Sequence, residues 1–227
     1  MRQLLPLAIA VMTLLSACSG AGFGTGMTGA PVRVLDGRVT LAPPLGYCAD
    51  RSTLRDDATG AFVLYGACGG KGNSASPASA PAVLTAAAAP AFGAETASAE
   101  GIATLATFLE TDAGRGALSR TDSGAAVEVL SLERTSDLIL VRARDGATGD
   151  LAPDYWRGIF LVQDALVTVT VSGTRPSTLT SQAGRDLMID FIATIRAANP
   201  VSDTAPAPAT PARSSEKGLG AFFKRLL

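Results

Sequence analysis

Histidine is missing altogether from the 227 residues. Its absence removes the commonest general base, proton shuttle and metal ligand at neutral pH. Charge is scarce too. Charged residues are 17% of the chain, against the usual quarter, and 19 basic against 20 acidic residues leave a net charge of −1. That balance gives no electrostatic footprint for nucleic acid, so no nucleic-acid partner is expected. The remaining catalytic signals are thin. Ser119, Ser123 and Ser131 have no visible base to activate them. Gly69-Gly70-Lys71-Gly72 resembles part of a phosphate loop, but no Lys-Ser/Thr follows in register. Asp56 and Asp57 are adjacent, and neighbours in sequence seldom converge on one substrate. No cofactor and no metal site are expected, and the chain leans away from an enzyme. Apolar residues make up 47%, but 41 of them are alanine, which leaves enough large side chains for one ordinary core.

The chain opens with MRQLLPLAIAVMTLLSAC, a positive Arg2 followed by an apolar run from Leu4 to Leu15. The run is too short to cross a bilayer as a helix, which takes about 20 residues, and has the length of a signal-peptide core. It ends Leu15-Ser16-Ala17-Cys18, which resembles the lipobox of bacterial lipoproteins. That resemblance implies cleavage before Cys18, alkylation of its thiol by diacylglycerol and acylation (palmitate-like) of the new amino terminus. The alternative is an ordinary secretory signal with Cys18 incidental. In the sorting rule known for enteric lipoproteins, Ser19 in place of aspartate implies an outer-membrane rather than inner-membrane destination. The expected location is the cell envelope, lipid-anchored and facing the periplasm.

With Cys18 lipidated, two cysteines remain, Cys48 and Cys68. In an oxidising compartment a disulfide is their default. A redox-active or metal-binding pair is the alternative, but neither lies in a C-x-x-C and no histidine completes a site.

Residues 1–17 thus read as signal peptide and 18–30 as a glycine-rich stalk, about 20 Å root-mean-square if coil. A globular α+β domain follows over 31–198. Val32–Leu41 holds two β-prone runs around Asp36-Gly37, a hairpin signal. Gly46–Asp57 is expected to form a turn and a short helix, and the continuous apolar run Ala61–Ala67 suits a buried strand. Residues 69–81 have loop chemistry. Val83–Ala89 suits a strand, or a helix because of its alanines. A helix is expected over 98–111, with Ile102, Leu105, Ala106 and Leu109 on one stripe and Thr96 or Ser98 as cap. Four strands should follow, at Ala126–Leu132, Leu138–Arg144, Arg157–Val162 and Ala165–Ser172, with Gln163-Asp164 as a tight turn. The alternation Val167-Thr168-Val169-Thr170-Val171 predicts one buried and one wet face. The second helix, 181–198, carries Leu187, Met188, Phe191, Ile192 and Ile195 on one stripe and stops at Asn199-Pro200. The result is an antiparallel sheet with two packed helices.

The meander followed by a terminal helix ending Ile192-Ala193-Thr194-Ile195-Arg196 resembles the Mog1/PsbP/DcrB-like fold. Gly46-Tyr47-Cys48, the Phe62-Val63-Leu64 strand ending in Cys68, and Ala113-Gly114-Arg115 before Leu118-Ser119 are similar to uncharacterised bacterial envelope proteins. The similarity implies no activity.

Residues 199–215 form a Pro/Ala-rich linker, at most about 50 Å long as a polyproline-like spacer. In the tail, 216–227, Leu219, Phe222, Phe223 and Leu226 fall at i, i+3, i+4, i+7, while Lys217, Lys224 and Arg225 take the other face. It reads as a C-terminal amphipathic helix that meets a membrane surface or an envelope protein; folding back onto the domain, or no role, are the plainer readings. Asp154, Trp156 and Arg157, with the turn acids Asp150 and Asp164, mark a candidate ligand edge over 150–164. Two functions follow. The first is a non-catalytic, lipid-anchored binding or scaffolding module, and the second an enzyme or small-ligand binder using that edge.

Overall fold

A computed structural model describes residues 29–69, 78–91, 97–120, 127–146 and 149–200. Cys18, the linker beyond Pro200 and the tail residues Leu219, Phe222, Phe223, Lys224, Arg225 and Leu226 lie outside the described residues.

The hairpin at 32–41 forms as its turn chemistry dictates. Strand β1 (Val32–Val34) pairs antiparallel with β2 (Val39–Leu41), Val32 opposite Leu41 and Val34 opposite Val39. Leu35, Asp36 and Gly37 turn the corner in left-handed conformation, the region Asp and Gly tolerate best. This pair is a sheet of its own.

The main sheet has seven antiparallel strands. They are β3 (Tyr47–Asp57), β4 (Gly60–Ala67), β5 (Ala82–Pro90), β6 (Glu128–Arg134), β7 (Leu138–Arg144), β8 (Leu151–Val162) and β9 (Ala165–Thr174). Their spatial order is β3-β4-β5-β9-β8-β7-β6, so two meanders join where β5 pairs with β9. Helices α1 (Ala99–Leu109) and α2 (Asp112–Ala117) lie between the meanders in sequence, and α3 (Ser181–Ala197) closes the domain. The described fold is therefore α+β, with three helices among the described residues where two were expected. The extra one, α2, is only 6 residues long and starts where the Thr111 hydroxyl accepts the Gly114 N–H, 3.1 Å.

Both sheet faces are covered. On one, α3 lays Leu187, Met188, Phe191, Ile192 and Ile195 against β8 and β9, joined by Val32, Val34 and Leu41 of the hairpin. Fully burying side chains of this size stabilises by about 1.5–3 kcal/mol each. On the other, Ile102, Leu105 and Leu109 of α1 cover Ile139, Val141, Tyr155 and Ile159. Ser98 caps α1, its hydroxyl accepting from the Gly101 N–H at 3.1 Å.

Four expectations need correction. Residues 47–57 are an 11-residue edge strand, not a turn and helix. Only Tyr47, Cys48 and Ala49 reach the core, and an irregularity between Asp50 and Arg55 breaks the alternation a strand normally displays. Ala61–Ala67 is the strand expected but is buried on one face only, Val63 and Tyr65 inside, Phe62 and Leu64 half-buried. Strand β8 starts at Leu151, six residues before the expected Arg157, so Tyr155 and Trp156 sit inside it. Finally, β9 has no wet face: Thr168, Thr170 and Ser172 are 5%, 6% and 3% exposed. The α1–α2 layer buries that side, and hydrogen bonds satisfy part of its polar groups.

The expected Cys48–Cys68 disulfide is formed, with Cα atoms 5.0 Å apart. It clamps the beginning of edge strand β3 to the residue just past β4.

Candidate functional site

The three residues singled out at 150–164 do not meet. Successive side chains of a strand point to opposite faces, so Asp154 and Trp156 lie on the α3 side while Arg157 points beneath α1 and α2.

On the α3 side, Arg142, Asp154, Trp156, Gly173, Thr180 and Ser181 line a small open hollow. The Asp154 carboxylate accepts from Arg142 Nη2 at 3.0 Å and from Arg144 Nε at 2.7 Å. The Arg144 hydrogen bond, with the charge of both guanidiniums behind it, holds the Asp154 carboxyl below the ordinary carboxylate range. Trp156 is a wall rather than a free stacking surface. Its Nε1–H donates to the Ser181 carbonyl at 3.1 Å, and its ring lies against Gly184 of α3. This hollow presents a carboxylate already neutralised by two arginines, which suits ion-pairing across the sheet better than binding a cation.

On the opposite side Arg157, 3% exposed, enters a buried polar cluster. Its Nε donates to Thr170 Oγ1 at 3.2 Å and its Nη1 to the Leu118 carbonyl at 3.1 Å. Arg120 reaches in from the end of α2, donating to Ser172 Oγ at 2.9 Å and to the carbonyls of Ala152 and Pro153. Asp145, fully buried, accepts from the Ser119 hydroxyl at 3.1 Å and from the Arg120 backbone N–H at 2.8 Å. Both guanidiniums lie over the Tyr155 ring, that of Arg120 at 4.3 Å and that of Arg157 at 5.3 Å from its centre. Burial raises the Tyr155 hydroxyl pKa and lowers both arginines from their ordinary value. An arginine starts so high that both stay charged at any physiological pH.

Nothing in this cluster is arranged for proton transfer or nucleophilic attack. Its chemistry is that of a fastening, three charged groups tying the end of α2 to β8 and β9. Arg120 and Asp145 were missed in the sequence. Arg157 was noticed for the wrong reason: a charge between Trp156 and Gly158-Ile159-Phe160 signals a buried partner, and the Thr170 and Ser172 side chains on the next strand are part of it.

Three other acids noted in the sequence have partners. Asp56 accepts the Leu35 backbone N–H at 3.0 Å, Asp57 accepts from Thr59, and Asp164 pairs with Arg38 at 2.9 Å. Among the described residues no group of three or more cysteine and acidic side chains could hold a metal ion. No described helix is long and apolar enough to cross a membrane.

Comparison with known proteins found no matching family model, no matching curated protein and no matching solved structure.

Proposed function

We propose that this is a lipid-anchored protein of the cell envelope, facing the periplasm at the outer membrane, whose α+β domain binds or scaffolds another envelope component without catalysing a reaction. The observation that supports it best is the pairing of Cys48 with Cys68. A cross-strand disulfide fits an oxidising compartment. It also leaves Cys18, in its Leu15-Ser16-Ala17-Cys18 setting, as the one cysteine of three with a different use. The ligand-binding alternative draws less support, because Arg157 is spent inside the fold and Asp154 is held between two arginines.

Intact mass and membrane fractionation of the protein from its own host, beside a Cys18→Ala variant, test the proposal. A diacylglycerol-sized increment that disappears in the variant, with release of the variant from the membrane, is expected. An unmodified soluble parent would overturn it and return the chain to the secreted-enzyme class.

A further inference from the structure

The polar cluster beneath α1 and α2 is rich in donors and poor in acceptors. Each guanidinium carries five N–H donors and no acceptor. The acceptors that Arg120 and Arg157 meet are already shared. The Leu118 carbonyl takes both Arg157 Nη1–H and the Tyr155 hydroxyl, and Asp145 Oδ2 takes both the Ser119 hydroxyl and the Arg120 backbone N–H. One donor is left over. The Nε–H of Arg120 is buried without a hydrogen-bond partner, the one such side-chain nitrogen or oxygen among the described residues. A buried orphan of this kind calls for an acceptor of its own.

Charge is out of balance in the same direction. Among the described residues, Asp145 is the only carboxylate hydrogen-bonded into the cluster, against two arginines. Asp154 also attracts Arg120 but lies on the other face of the sheet, held by Arg142 and Arg144. The two guanidiniums share the Tyr155 ring and repel each other, and Arg157 is buried where water screens least. The ring face attracts both cations yet brings no negative charge, because burial keeps the Tyr155 hydroxyl protonated. A water molecule would accept from Nε and leave the charge as it is. An anion supplies acceptor and charge together.

We propose that a halide-class anion, chloride, binds at the Arg120 Nε–H as counter-ion to the Arg120–Arg157 pair. One elementary charge suffices to offset the excess. Carboxylate and phosphate groups are held best by a fork of two parallel N–H donors. The fork of Arg120 is already taken, Nη1 by Ser172 and Nη2 by the Ala152 and Pro153 carbonyls. What remains is a single-point donor, which suits a spherical ion. Bound there, chloride completes the fastening of the end of α2 to β8 and β9.

The test compares melting temperatures in sodium chloride and in sodium gluconate, an anion too large for the site, at equal ionic strength. At a chloride concentration about ten times its Kd, the midpoint should stand about 3–5 °C above that in gluconate. Arg120→Gln removes the Nε donor and should lose this increment whatever its own stability. Arg144→Gln, on the opposite face of the sheet, should keep it. General salt effects on the protein surface act on all three proteins alike and cancel in the comparison. A bromide-soaked crystal of the parent should show an anomalous peak at Arg120 Nε, a readout that needs no variant to fold. Equal increments in the parent and Arg120→Gln, or a water at Nε in the bromide crystal, would overturn the inference. Bromide peaks elsewhere and none at Nε would mean an adventitious ion only, and would overturn it equally.

Discussion

The few aromatic residues with a polar tip share one task. Every tyrosine is buried, and each hydroxyl donates to a backbone carbonyl outside its own strand: Tyr47 to Ala80, Tyr65 to Leu41, Tyr155 to Leu118. The only tryptophan does the same through its indole N–H to Ser181. Each ring fills core volume while its tip holds one peripheral piece: the segment before β5, the end of β2, the end of α2 and the start of α3. Tyr155→Phe keeps the ring beneath both guanidiniums and loses a single bond. Since Leu118 still accepts from Arg157, a cost of about 0.5–1 kcal/mol is expected in denaturant unfolding. Tyr155→Ala removes the ring as well and should cost about 3–5 kcal/mol. Glycine plays the opposite part at Gly158, where α3 rests directly on the sheet: an added Cβ would stand 2.8 Å from Ile192 Cδ1 and 3.1 Å from Met188 Sδ. Gly158→Ala should therefore destabilise by about 1–3 kcal/mol, seen as a lower denaturation midpoint with unchanged slope.

Among the elements, the edge strand β3 depends most on covalent help, because its outer half, Arg51–Asp57, has little buried surface. The Cys48–Cys68 link supplies it. Cys48→Ser should lower stability by about 3 kcal/mol under oxidising conditions, and reductant should bring the parent down to the same level. A mutant as stable as the oxidised parent would contradict this. The same strand explains why the sequence misled. Both long helices declared themselves through apolar stripes that are buried as expected, and β1, β2 and β6–β9 through alternation or turn residues. Strand β3 has no such signal, since Arg51-Ser52-Thr53 and Arg55-Asp56-Asp57 lie past the core. At Thr168 and Thr170 the pattern was right and its meaning wrong. Alternation separates polar from apolar sides, but whether the polar side is wet depends on what packs over it. Arg120 and Asp145, which help fill that side, come from distant turns. The ligand edge failed for a related reason: Trp156 and Arg157 are neighbours in sequence and so face opposite ways in a strand.

For the whole molecule, α3 is tied across the sheet by Arg185–Glu133 at 2.9 Å and Arg196–Asp137 at 2.9 Å, while Arg142 and Arg144 hold Asp154. These pairs are largely solvated and contribute modestly. Asp154 gives them a pH signature. Its pKa is lower folded than unfolded, so its contribution is complete above the ordinary value of about 3.9 and disappears as pH falls through the folded value. Unfolding midpoints between neutral pH and pH of about 3 should decline less steeply in Arg144→Gln than in the parent. The hairpin, finally, gives the molecule a mechanical character. Load arriving through residue 31 falls first on β1, which pairs only with β2 and is no part of the seven-stranded sheet. Antiparallel pairs pulled from one end part rung by rung. Residues 31–47 could pay out about 60 Å of chain before tension reached Cys48, where the bond to Cys68 closes the very end from which β3 would begin to peel. The domain would ride on a shock absorber with a hard stop.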